Sequence, residues 1–208
     1  MKVVLYGASG KAGSRILGEL QTRGHEVTAV VRNKPDRLPA GVKSAQDDLS
    51  GVAEIAKTIA GADAVVSAYG PPANDTDQLI GVVERLIEAV RKAGVPRLIV
   101  VGGAASLGVA PGVTLLASGH LPEAWVPIAT SHAKAFEALK RSGVNWTYFS
   151  PAAFFEPGER TGKFRLGKDS LIADGKGESR ISMEDYAIAL VDELEKPAHE
   201  RARFTIGY

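Results

Sequence analysis

The run Gly7-Ala8-Ser9-Gly10-Lys11-Ala12-Gly13 joins an apolar stretch, Val3-Val4-Leu5-Tyr6, to a segment with helical spacing. Glycine is needed where a phosphate must approach the backbone closely and the chain must turn with no Cβ in the way. The free N–H groups and positive end of a following helix then face the phosphates. Three glycines alone are weak evidence. Set between an N-terminal strand and an amphipathic helix, they predict the diphosphate cradle of a dinucleotide site.

The end of the second strand bears on which dinucleotide. An acid there would bind the adenosine ribose hydroxyls and repel a 2′-phosphate. The chain reads Ala29-Val30-Val31-Arg32-Asn33-Lys34, with no acid before Asp36. Arg32 suits bidentate pairing with a phosphate dianion, and Lys34 or Arg37 can assist. NADP(H) is the expected cofactor, with NAD(H) the lesser alternative. Asp48-Leu49 follows the third strand, where an acid can meet the adenine amino group; Asp47 would serve equally well, and Asp48 has helix capping as its alternative. Ser67-Ala68-Tyr69-Gly70 ends the fourth strand and is expected near the central riboses. Gly102-Gly103 after the fifth strand, and Pro151 after a later one, are expected at the nicotinamide end, since ligands of open α/β sheets lie at the carboxyl ends of the strands.

Carbonyl reduction in short-chain dehydrogenases uses a tyrosine with a lysine four residues later: the tyrosine supplies a proton and the lysine lowers its pKa. Tyr6, Tyr69, Tyr148 and Tyr186 are followed at that offset by Gly10, Ala73, Ala152 and Leu190, and Tyr208 is the last residue. The pair is absent. Where it would stand, at the start of the helix after a long loop, the chain reads Thr130-Ser131-His132-Ala133-Lys134. His132 is the candidate catalytic residue, as a neutral imidazole that orients a cofactor amide or as a proton donor near neutral pH; its alternative is a residue that merely caps the helix. Hydride transfer to a flavin needs less acid help, because the reduced ring delocalises its charge. Face-to-face positioning of the two rings would suffice. Phe154-Phe155 is a candidate wall for a planar substrate, or core. Glu159 to Lys163 and Arg180 are candidates for substrate carboxylates or phosphates, or solvated surface. No metal-ligand spacing occurs.

The elements that must position these residues alternate. Strands are read at 3–6, 27–31, 42–45, 64–66 and 98–101, with helices at 11–23, 52–59 and 76–93 between them. This order predicts an α/β, Rossmann-type, doubly wound parallel sheet. From Ala104 to Pro127 no period is sustained, and a loop that long is expected to be functional or mobile. A helix at 130–141, a strand at 146–150, a helix at 183–195 and a short strand at 203–206 follow, making a small C-terminal elaboration on the substrate side. With 208 residues and no linker, the prediction is a single domain, 1–208.

The balance of 25 basic and 24 acidic residues leaves a net charge of +1 and no electrostatic footprint for nucleic acid or membrane surfaces. The absence of cysteine removes disulfides and thiolate chemistry. No signal segment or membrane span is read, so a cytoplasmic protein acting on a small planar acceptor is expected, with protein partners undefined.

The Gly-x-x-Gly-x-x-Gly turn resembles the atypical and extended short-chain dehydrogenase/reductase families. With Val31-Arg32, Asp48-Leu49, the His132 helix, Trp146 to Pro151 and the run Gly177-Glu178-Ser179-Arg180-Ile181-Ser182, the chain resembles the bacterial NADH-flavin reductase group nearly throughout. It is more distantly similar to biliverdin-IXβ reductase/flavin reductase. The resemblance implies hydride transfer from NAD(P)H to a flavin or similar conjugated acceptor, with His132 near nicotinamide and substrate. That reductase's active-site serine region falls near Ala105-Ser106, where this chain departs from the pattern. Two alternatives share the turn: an NADP(H)-binding sensor of the NmrA-like type without turnover, and, less well matched, an NAD-dependent epimerase/dehydratase.

Overall fold

In a computed structural model, residues 1–32 and 38–208 are described. The first strands are short and apolar because both faces are covered. β1 (Lys2–Tyr6) leads through the glycine turn to α1 (Lys11–Thr22), then to β2 (Glu26–Val31), β3 (Lys43–Gln46), α2 (Val52–Ile59), β4 (Ala64–Ser67), α3 (Gln78–Ala93) and β5 (Leu98–Val101). Along β1 the side chains alternate between two cores. Val4 and Tyr6 join the cluster beneath α2 and α3, while Val3 and Leu5 join the one beneath α1. α3 buries Leu79, Val82, Val83, Leu86, Ile87 and Val90 as one stripe and stops where Gly94 adopts φ +65°.

The second part comprises β6 (Gly108–Ala110), β7 (Val113–Thr114), a single 3₁₀ turn (Glu123–Trp125), α4 (Val126–Lys140), β8 (Trp146–Ser150), β9 (Phe154–Glu156), β10 (Arg165–Gly167), β11 (Arg180–Ser182), α5 (Met183–Glu195) and β12 (Ala202–Gly207). The main sheet runs β10-β12-β8-β5-β4-β1-β2-β3, parallel except for β10 at its edge. β1 lies between β2 and β4, so the chain reverses its direction of winding there. The fold is the expected Rossmann-type α/β sheet, with helices on both faces. Among the described residues no helix is long and apolar enough to cross a membrane.

One segment read without a period gains structure, and one helix boundary moves. The 104–127 segment is a tied structure: β6 pairs with β7, Gly108 donates to the Asp169 carbonyl at 2.8 Å, and Leu171 donates back to Gly108 at 2.9 Å. Arg203 clamps the same segment through the Ser106 hydroxyl at 2.8 Å, and Leu107 is fully buried. The following helix starts at Val126 rather than Thr130, because Pro127 sits in its first turn, where a missing N–H costs nothing. His132 therefore stands about two turns into α4 instead of at its start.

Candidate active site

The carboxyl ends of β1, β2, β4 and β5 and the start of α1 enclose a cleft of about 370 Å³. Gly7, Ser9, Gly10, Lys11 and Ala12 line one end. The glycines have steric reasons to be there. A Cβ on Gly7, at φ +75°, would lie 2.3 Å from the Ala68 carbonyl oxygen. One on Gly13 would lie 2.0 Å from that of Gly7, so Gly13 holds α1 against the turn from outside the cleft. Ala8 is likewise buried behind it. α1 begins with no side-chain cap and no acid in its first turn. Its first N–H groups and positive dipole end are thus left for an anion.

Where β2 and β3 meet the cleft, the structure separates two neighbours that the sequence left open. Asp47, not Asp48, lines the cleft. Asp47 is buried, accepts from the Tyr6 hydroxyl at 3.2 Å and from the Leu49 N–H at 2.7 Å. Asp48 points to solvent and accepts from the Ser50 N–H at 2.9 Å; the Ser50 side chain, and after it that N–H, lowers its pKa. Leu49 takes φ +61°, a costly conformation for a branched side chain. The Asp47 bond and the Arg85 Nε–H, which donates to the Leu49 carbonyl at 2.6 Å, hold it there.

Arg32 lies exposed on the cleft wall. Asn33, Lys34, Asp36 and Arg37, including the two cations expected to assist Arg32, lie outside the described residues. Tyr69 borders the same end, and burial raises its hydroxyl pKa. Ala68, Tyr69 and Gly70 line the cleft, whereas Ser67 is buried in the strand beneath.

His132, Gly102, Val101 and Phe155 form the other end. Gly102 accommodates the Tyr148 ring, which a Cβ would meet at 2.5 Å; Gly103 lies behind and leaves room for the imidazole, 3.0 Å from where its Cβ would stand. The Tyr148 hydroxyl accepts the Gly103 N–H at 3.0 Å and reaches His132 Nδ1 at 3.3 Å. Burial pushes the His132 pKa down to about 4, so the ring is neutral at physiological pH. Burial thus disfavours the imidazolium that one of the expected roles, proton donation near neutrality, would use. Pro151 is buried behind this wall and does not line it. Arg160, a candidate for a substrate acid, is taken by buried Glu19 at 3.0 and 3.1 Å.

Phe155, one of the two aromatics expected as a substrate wall, lines the cleft; sequence reasoning missed Tyr6, Val30, Val31 and Val101 as cleft walls. Each is apolar or aromatic at a strand end and reads as core. Their proximity to the carboxyl edge of the sheet was the available signal.

This cleft, at the reversal point of a parallel sheet and opening on an uncapped helix, defines a dinucleotide-binding Rossmann protein. The chain belongs to the NAD(P)H-binding family, whose model matches residues 7–197. It is 41% identical over 210 residues to the uncharacterized protein YwnB of Bacillus subtilis strain 168, covering 99% of this chain and 98% of that one. A candidate NADH-flavin reductase, SP1627 of Streptococcus pneumoniae TIGR4, superposes with a TM-score of 0.91 at 34% identity, covering 100% of this chain and 99% of the other. A candidate epimerase of Bacteroides thetaiotaomicron gives 0.93 at 46% identity, covering 100% and 96%.

Proposed function

We propose that the protein is an NAD(P)H-dependent reductase, preferring NADPH, that acts on a flavin or another planar, conjugated acceptor. One observation carries this reading: a single cleft runs from the uncapped α1 N-terminus to a neutral His132, with no tyrosine–lysine acid pair. When bound, the reduced nicotinamide supplies hydride. The α1 turn would hold its diphosphate, Arg32 its 2′-phosphate, and Asp47 with Leu49 its adenosine end. Gly102 and His132 would orient the nicotinamide, and Phe155 would exclude water. A neutral imidazole offers a hydrogen bond but no net proton, which suits an acceptor that stabilises its own negative charge after reduction. The name of the pneumococcal relative agrees with this chemistry. We place the reaction in the cytoplasm, where reduced dinucleotide is supplied.

The same lack of a strong acid favours a second reading, an NADP(H)-binding sensor of the NmrA-like type that does not turn over. An epimerase fits less well without the tyrosine–lysine pair. NADPH oxidation, followed at its near-ultraviolet absorbance with and without riboflavin, flavin mononucleotide and a quinone, separates them. Saturable acceptor-dependent oxidation is expected. Tight NADPH binding with no oxidation on any acceptor assigns the sensor.

A further inference from the structure

Trp125 and Phe154 pack edge to face with ring centroids 6.4 Å apart, yet they remain 45% and 42% exposed. Val126 beside them is 39% exposed. Exposed aromatic pairs of this kind mark binding surfaces more than ordinary protein exterior. Both belong to elements that build the His132 end of the cleft. Trp125 immediately precedes α4 and lies seven residues before His132, which puts it on the same helical side about 10 Å along the axis. Phe154 adjoins Phe155 on β9, and Phe155 lines the cleft.

The charge around the pair is also specific. The Arg180 guanidinium lies 5.5 Å from the Phe154 ring centre, but Glu156 and Glu178 hold it at 3.5 and 3.9 Å. Glu123 stands in the same single turn as Trp125. Two carboxylates thus share the Arg180 guanidinium, and a third acid stands beside Trp125, so the surroundings of the pair favour an uncharged ligand end over an anionic one.

We infer that Trp125 and Phe154 form a distal acceptor subsite that takes the uncharged end of an extended planar ring system, favouring a neutral acceptor such as riboflavin over its phosphorylated form. This deepens the reductase reading and rests on it. A tricyclic ring reaching outward from His132 is directed toward Trp125, and one of the two rings, which stand at 76° to each other, can stack on its face while the other meets its edge.

The test is calorimetric titration of riboflavin and of flavin mononucleotide into protein saturated with NADP⁺, so that no turnover is needed. Riboflavin is expected to bind at least fivefold more tightly than flavin mononucleotide. Trp125→Ala is expected to weaken riboflavin at least tenfold, with Trp125→Phe restoring most of the loss and NADP⁺ affinity changing less than twofold. Glu156→Gln combined with Glu178→Gln is expected to narrow the gap between the two flavins. Riboflavin affinity that ignores Trp125→Ala overturns the subsite, as does no riboflavin binding by the unaltered protein. So does a dimer, seen by sedimentation, that Trp125→Ala dissociates, since a second copy would then cover the pair. NADPH oxidation in the same samples separates the two claims. Turnover indifferent to Trp125 keeps the reductase and removes the subsite; Trp125-dependent binding without turnover does the reverse.

Discussion

The Tyr148 hydroxyl stands 3.3 Å from Nδ1 of His132 and accepts the Gly103 N–H at 3.0 Å, so a buried phenol links the glycine behind the cleft wall to the imidazole that faces it. The same hydroxyl donates to the His132 backbone carbonyl at 3.1 Å, which leaves it an acceptor toward Nδ1. With the phenol proton on that carbonyl, the ring proton of the neutral imidazole is expected on Nδ1. Nitrogen-15 shifts of His132 are expected to show that tautomer, and Tyr148→Phe to mix the two. The same change leaves the Gly103 N–H without a partner, at a cost of about 1–3 kcal/mol in unfolding free energy. A predominant Nε2–H form in the unaltered protein would contradict this arrangement.

His132 is held neutral by burial, with its pKa down to about 4 against an ordinary 6.5. Acceptor reduction is therefore expected to show no His132 titration between pH 5 and 8, and an inflection near 6.5 that His132→Gln abolishes would refute it. The stability consequence has a definite sign. As pH falls below 6.5 the unfolded chain takes up a proton that the folded ring refuses, so stability drops through the window from 6.5 to 4. His132→Gln is expected to flatten that part of the thermal-unfolding profile.

Arg32→Glu is expected to weaken NADPH at least tenfold and NADH less than threefold, measured by direct titration. A guanidinium lost from a 2′-phosphate removes a charge-assisted pair that NADH never makes. Equal losses for both dinucleotides would take the 2′-phosphate away from Arg32.

Asp47→Ala and Asp48→Ala make a matched pair. Asp47 pins Leu49 in its left-handed conformation and accepts from Tyr6, so its loss is expected to lower cofactor affinity about tenfold and destabilise the fold by about 1–3 kcal/mol. Asp48 holds only the Ser50 N–H at the surface, and its removal is expected to leave affinity within twofold. The reverse ranking would restore Asp48 as the adenosine ligand.

How legible the fold was depended on the kind of signal. The helix from Gln78 to Ala93 carries an unbroken apolar stripe and a terminal glycine, and β1, β4 and β5 are uninterrupted apolar runs; local pattern dictates all of them. β9, β10 and β11 are three residues each, the first two mostly exposed, so no periodicity can develop in them. The start of α4 was hidden by Pro127, which disrupts a helix interior but fits its first turn. In the site, the glycine turn was readable because backbone geometry restricts residue type. Asp47 and Asp48 were not separable, since only the turn that aims Asp47 at the Leu49 N–H distinguishes them. Tyr148 reads as one more buried strand residue, and its link to His132 exists only once β8 lies beneath α4.

β12 lies between β8 and β10, and β10 has no other strand neighbour in the main sheet. During synthesis, β1 to β5 and the glycine turn emerge before any of this is made. The edge beyond β8 must wait for residues 202–207, and Arg203 on that strand also fastens the 104–127 segment through Ser106. The core beneath α1 draws on Tyr186, Leu190, Leu194 and Phe204, so the glycine turn gains its full support only when the last strand arrives.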